Sequence, residues 1–143
     1  MKRAHLTPQI IAAGGDHSLA VTGDGKAYTW GDNDNGQLGN NSKDDSSTPV
    51  VLNLSDMSAI AAGLNHSLAL KNNGTVWAWG RNYSGQLGDG TKEERCLPIE
   101  IANLTHIQAI AAGKQHSLAL KDDGTVWVWE VTDGVSLEMA NVI

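Results

Sequence analysis

Three histidines, His17, His66 and His116, are each followed directly by a serine, and the first is also preceded by Asp16. Histidine beside serine is the pairing that generates a nucleophilic alkoxide for acyl transfer, and an aspartate is the group that orients such an imidazole. That chemistry needs the two side chains to converge, whereas neighbours on an extended strand project to opposite faces. An active site is also built once, and this dipeptide occurs three times. The three histidines are therefore read as structural, tying strand to loop or unit to unit. A metal centre taking one histidine from each unit would need imidazole nitrogens about 3.3 Å apart, as follows from metal–nitrogen bonds near 2.0 Å. Equivalent strand positions in neighbouring units lie farther apart than that.

The acidic stretch GDNDNGQLGNNS, residues 31–42, invites a calcium loop. Such a loop carries an acid five residues before its central glycine and a glutamate at its twelfth position. Those places hold Gly31 and Ser42 here, and Gly80 and Thr91 in a sister stretch, so the pattern fails twice. Asn33 and Asn82 are instead expected to bond local backbone, with Gly36, Gly39, Gly85 and Gly88 permitting tight turns. Neither glycine-rich phosphate-binding pattern is present. The carboxylate pairs Asp44-Asp45 and Asp122-Asp123 fall in turn or loop positions where solvated charge is the default. No cofactor, no metal and no catalytic residue is expected.

Composition narrows the partners. The 143 residues contain ten Lys and Arg against sixteen Asp and Glu, a net charge of −6, which disfavours nucleic acid and anionic membrane as direct partners. The start, MKRAHLTPQIIAAGG, has no apolar run suited to a signal peptide or a span. With Cys96 the only cysteine, no internal disulfide is possible, and a cytoplasmic location is the expectation.

The elements that position these residues follow from an internal period. Gly14, Gly63 and Gly113 are spaced 49 and 50 residues apart, as are His17, His66 and His116, and Trp30, Trp79 and Trp129. Within a unit the pattern is that of strands: His66 to Leu70 and Thr75 to Trp79 flank KNNG, whose Asn-Gly is expected to supply the positive φ angles of a hairpin turn. Ile60 to Ala62 forms a strand before the histidine. A fourth, TPVVLNL or LPIEIANL, follows a long polar loop. Four short strands per roughly fifty residues predict an all-β chain of propeller blades, four-stranded antiparallel sheets that bury both faces against their neighbours. Small residues such as those of AAG fit the crowded strands nearest a propeller axis.

The motifs AAGxxHSLAL, DGxVWxWG and NxxGQLG, in this order from about Ile10 to Trp129, resemble the repeat of the regulator of chromosome condensation family. The resemblance implies a seven-bladed β-propeller, for which roughly 350 residues would be needed; the chain is then a partial propeller. Members include exchange factors for small GTPases, a plant ultraviolet photoreceptor and a bacterial protein inhibitor of β-lactamase, so fold does not settle function. Exchange activity would require a loop or wedge projecting from one blade. The two complete units have nearly equal lengths and no insertion. A light-sensing cluster would need tryptophans beyond the repeated positions, and Tyr28, Trp77 and Trp127 also share one such position.

The expected organisation is a tail of a preceding repeat at 1–10, repeats at 11–59 and 60–109, a truncated repeat at 110–130, and a divergent tail at 131–143. In the tail, Asp133-Gly134 could turn the chain so that Val135 to Met139 pairs back on Thr125 to Thr132 as a capping strand. What does not repeat marks the partner-binding candidates: Asp32 and Asp34 in the first unit are replaced by Arg81 and Tyr83 around the second. The expected function is non-enzymatic, a module presenting variable loops to another protein; the alternative is part of a guanine nucleotide exchange factor. Because open terminal blades expose apolar faces, self-association or a longer polypeptide is also expected.

Overall fold

A computed structural model of the chain describes residues 10–130 and 138–140. Among these residues there is no helix, only strands and the loops between them. The first sheet contains β1 (Ile10–Ala13), β2 (His17–Val21), β3 (Ala27–Gly31) and β4 (Ser46–Leu52), antiparallel in that order. The second repeats it with β5 (Met57–Ala62), β6 (His66–Lys71), β7 (Val76–Gly80) and β8 (Arg95–Glu100). The third has β9 (Ile107–Ala112), β10 (Ser117–Lys121), β11 (Val126–Trp129) and β12 (Glu138–Ala140). This is an all-β partial propeller of three four-stranded sheets.

Alternation along the strands gives each sheet two apolar faces, and the sheets stack through them. Leu19, Val21 and Ala27 of the first sheet pack with Ile60, Ala69 and Trp79 of the second. Leu68, Leu70, Val76 and Ala78 on the second sheet's other face pack with Ile107, Ala119 and Trp129 of the third. The first strands lie side by side: the Gly15 N–H donates to the Gly63 carbonyl (3.1 Å) and the Leu64 N–H to the Lys114 carbonyl (3.3 Å). The AAG glycine is dictated by two neighbours at once. A Cβ on Gly63 would overlap the ring of His66 in its own sheet and lie 2.5 Å from the Gly113 carbonyl oxygen of the next.

Some local expectations need adjustment. The second sheet's first strand begins at Met57 rather than Ile60, with a register shift between Met57 and Ala59. The outer strands β4 and β8 each start two residues earlier than TPVVLNL and LPIEIANL and stop sooner. The hairpin turns are not built on two positive φ angles: Gly25, Gly74 and Gly124 have φ of 82°, 81° and 87°, while the Asp or Asn before each does not enter that region. Gly74 N–H bonds the Lys71 carbonyl and Lys71 N–H the Thr75 carbonyl (both 2.9 Å), a turn closing in a glycine bulge. The preceding residue contributes its side chain instead. Asn73 Oδ1 accepts from Thr75 N–H (3.1 Å) and Oγ1 (2.6 Å), and Asp123 Oδ1 accepts likewise from Thr125.

β12 lies antiparallel to β11, with Val126 opposite Ala140 and Val128 opposite Glu138. The turn expected at Asp133-Gly134, and Val135 to Leu137, lie outside the described residues. So does the expected tail at 1–10, apart from Ile10 at the head of β1.

Candidate functional site

Adjacent histidine and serine do diverge, as strand geometry requires, yet histidine and serine still meet. His17 Nε2 lies 2.9 Å from Ser67 Oγ of the next sheet, and His66 Nε2 lies 3.0 Å from Ser117 Oγ. Ser67 Oγ also bonds the main-chain carbonyl of Gln37 at 2.9 Å, and Ser117 Oγ that of Gln86 at 2.8 Å. A carbonyl only accepts, so each hydroxyl proton points at it, and the imidazole must be the donor at Nε2. That direction is the reverse of general-base activation. Both serines are fully buried as well. The His–Ser pairs are joints between sheets, sealed from any substrate.

The joint has a further partner. Trp79 Nε1 donates to the same Gln37 carbonyl at 2.8 Å, so the GQLG loop of one unit sits against the tryptophan of the next. Gly39 (φ 72°) leaves room for that ring, since a Cβ there would lie 2.8 Å from the indole nitrogen, and Gly88 (φ 70°) does the same for Trp129. Trp129 is equally buried, but its Nε1 has no partner among the described residues. Trp30, at the same repeat position, is only half-buried because no sheet among the described residues covers it.

Burial pushes the imidazoles of His17 and His66 down to about 4, with the neighbouring histidine adding to the effect at His66. With Nε2 donating to serine, an added proton would go to Nδ1, which is buried without a partner in both rings. Ser67→Ala should destabilise the fold by about 1–3 kcal/mol, because it strands the buried Nε2–H of His17. Urea denaturation measures this, and a loss under about 0.5 kcal/mol would remove the joint from the account.

The non-repeating residues stand on loops locked by one asparagine each. Asn33 Nδ2 donates to the carbonyls of Ser42 (2.9 Å) and Asp44 (3.0 Å), while its Oδ1 accepts from Leu38 N–H (3.0 Å). Asn82 does the same with Thr91, Glu93 and Leu87, each at 3.0 Å. Asp34 is exposed. Asp32 is half-buried, and its carboxylate already accepts from Gln37 Nε2 (2.8 Å) and Asp34 N–H (3.2 Å). Arg81 is half-buried with its guanidinium 5.0 Å from the centre of the Tyr83 ring, and Tyr83 is 54% exposed. The structure also brings Asp32, Asp34 and Asp45 together, with one oxygen of each within 4.8 Å of the others. Asp45 is engaged by the Asn33 N–H at 2.8 Å.

Sequence reasoning missed the bridge between the two loops. Glu94 accepts from Lys43 Nζ (2.7 Å) and Asn35 Nδ2 (2.6 Å) of the preceding unit. Burial pulls the Glu94 carboxyl upward, but these two bonds and the Lys43 charge outweigh it and hold it below its ordinary value, with a smaller contribution from the Tyr83 hydroxyl. Tyr83 is therefore seated beside a fixed ion pair.

The repeat and the fold recur in known proteins. Residues 24–70 and 73–120 match the family model described as the Regulator of chromosome condensation (RCC1) repeat, and a second model of that description matches residues 9–37 and 57–86. The chain belongs to this repeat family. Among solved structures it is similar to yeast RCC1 (Prp20) bound to Kap60, at 30% identity and a TM-score of 0.75 over 84% of this chain and 31% of that one. It is likewise similar to Prp20p of Saccharomyces cerevisiae, described with its binding properties to Gsp1p and histones, at 29% identity and a TM-score of 0.77 over 87% of this chain and 33% of that one. Human WBSCR16 shares the fold, at 23% identity and a TM-score of 0.83 over 99% of this chain and 39% of that one. A stretch of 42 residues, 29% of this chain, is 45% identical to the E3 ubiquitin-protein ligase HERC2 of Homo sapiens and covers 1% of that protein. The chain thus spans about a third of the solved propellers. Among the described residues no helix is long and apolar enough to cross a membrane.

Proposed function

We propose that the chain is a non-enzymatic interaction module that presents the loops 32–45 and 81–94 to a protein partner. The observation that carries this reading is the contrast within those loops. Asn33 and Asn82, which hold the loops in shape, are buried, whereas Asp34 and Tyr83, which differ between units, are exposed. A rigid platform with exposed variable residues loses little conformational entropy on binding, and Arg and Tyr are types favoured at interface hot spots. The buried His–Ser joints add support, since they take the one catalytic-looking pair out of reach. Arg81→Ala with Tyr83→Ala should weaken partner binding at least tenfold and shift unfolding by no more than about 0.5 kcal/mol, as exposed loop changes do. Calorimetric titration alongside a thermal melt checks both. A large melting shift would reassign the pair to packing.

A second reading, part of a guanine nucleotide exchange factor, is favoured by the likeness to Prp20p over most of this chain. Nucleotide release from a panel of small GTPases separates the two, and acceleration at catalytic concentrations of the chain would defeat the first. We also propose self-association. Support comes from the outer faces of the first and third sheets, which carry Ile11, Trp30, Leu118 and Val126 without a covering sheet among the described residues.

A further inference from the structure

Among the described residues the first and third sheets each leave one face without a covering sheet, and these two faces are the halves of one joint. In β6, whose sheet has neighbours on both sides, every residue from His66 to Leu70 is buried. In β2 only His17, Leu19 and Val21 are buried, the residues that face the second sheet, while Ser18 and Ala20 on the opposite face are partly exposed. In β10 the pattern is inverted: Ser117 and Ala119 are buried against the second sheet, while Leu118 and Leu120 are partly exposed. The open face of the first sheet therefore carries Ile11, Ser18, Ala20 and Trp30, which correspond by repeat position to Ile60, Ser67, Ala69 and Trp79. The open face of the third carries His116, Leu118, Leu120 and Val126, which correspond to His17, Leu19, Val21 and Ala27. Those two sets are the ones that pack between the first and second sheets.

We infer that a second copy of this chain docks head to tail, its third sheet against the first sheet of its neighbour, with His116 Nε2 hydrogen-bonded to Ser18 Oγ. This deepens the self-association reading and rests on it. The contact continues an interface made twice within the chain; of the two bonds common to both internal joints, histidine to serine and serine to a glutamine carbonyl, the two ends can remake the first. The third sheet has Glu130 where the other units have the glycine leading to their GQLG loop, so the indole bond to a glutamine carbonyl is not carried over. At the internal Trp129 joint the indole is likewise buried without that bond. Ile11, 82% exposed, would become covered as Ile60 is. Such a contact joins two different surfaces, so each copy keeps one open face and assembly continues into a ring or a longer stack.

Light scattering after size exclusion should give a mass well above the single-chain 15.1 kDa. Ile11→Asp and Leu118→Asp each destroy one half of the joint, on opposite ends, at positions that are not fully buried. Each variant alone should run as a monomer with an unchanged near-ultraviolet dichroism spectrum. Mixed in equal amounts, they should form a 1:1 dimer through the one joint left intact and stop there. Adding His116→Ala to Ile11→Asp, which supplies the third-sheet half, should weaken that dimer about five- to tenfold, the worth of one hydrogen bond to a buried partner. A wild-type monomer at tens of micromolar overturns self-association altogether. A wild-type oligomer that survives either single change, or variants that fail to pair with each other, leaves self-association standing and overturns the head-to-tail joint. A variant that has lost its native dichroism is replaced by Ile11→Ser or Leu118→Ser and judged on the same outcomes.

Discussion

Acidification from pH 7 to pH 4.5 should cost the folded chain several kcal/mol, well before most carboxylates titrate. His17 and His66 have folded pKa values of about 4 against an ordinary value of 6.5. Between those values the unfolded chain takes up protons that the folded chain refuses, so stability is full above pH 6.5 and falls as pH drops towards 4. The difference corresponds to about 3 kcal/mol for each histidine. With typical domain stabilities of about 5–15 kcal/mol, the loss of both contributions brings the chain close to unfolding. Glu94, Asp24, Asp89 and Asp123 are shifted downward, so their contributions are lost only at pH near and below the ordinary carboxylate range. Urea melts at half-unit pH steps check this. A flat stability profile between pH 6.5 and 4.5 would mean that the two rings accept protons in place and that the joint tolerates charge.

Gly63→Ala should be among the most damaging single methyls at the described glycines, costing about 3 kcal/mol or more. The cost is steric, because Gly63 is not in the left-handed region. The new Cβ would meet the His66 ring and would sit 2.5 Å from the carbonyl oxygen of Gly113. A flexible side-chain end could move aside, but this ring is held by Ser117 and this carbonyl belongs to the adjoining sheet. Relief requires separating two sheets, and overpacking that cannot relax locally falls at or beyond the upper end of the usual range. Gly25→Ala provides the contrast. Gly25 has φ of 82° and nothing within 4 Å of a new Cβ, so it carries only the left-handed backbone penalty of about 1 kcal/mol. Equal losses in the two variants, read from urea denaturation, would show that the inner strands are less crowded than their spacing implies.

The period of 49 and 50 residues made the family, the sheets and their four-strand make-up legible, because packing identical sheets imposes the same residues at the same register. The joints were less legible. Ser67 and Trp79 converge on the carbonyl of Gln37, and a main-chain oxygen has no letter of its own in a sequence. The repeated glutamine marked the place without naming the atom. The Lys43–Glu94 bridge was hidden for another reason: it joins positions that are not equivalent in the repeat, so neither residue recurs with its partner. In the loops, the exchange of Asp32 and Asp34 for Arg81 and Tyr83 pointed to variable positions. It did not reveal that Asp32 is tied to Gln37 five residues away, while Tyr83, 54% exposed, lies beside Arg81 and Glu94. Hairpin conformation was misjudged because Asn-Gly suits more than one turn, and in all three hairpins the Asp or Asn before the glycine accepts from a threonine hydroxyl, that of Thr22, Thr75 or Thr125.

Each GQLG loop packs against the tryptophan of the following sheet, so the joint, not the repeat, is the unit that must be remade when the chain changes length. Excising one whole repeat, residues 60–109, would bring His17 opposite Ser117 and the Gln37 carbonyl opposite Ser117 and Trp129, with Gly39 opening space for the indole as Gly88 does now. The new seam would carry the same residue types as the old ones. Loss of a complete unit therefore leaves the histidine–serine seam chemically unchanged, whereas Lys43 and Asn35 lose their shared partner Glu94.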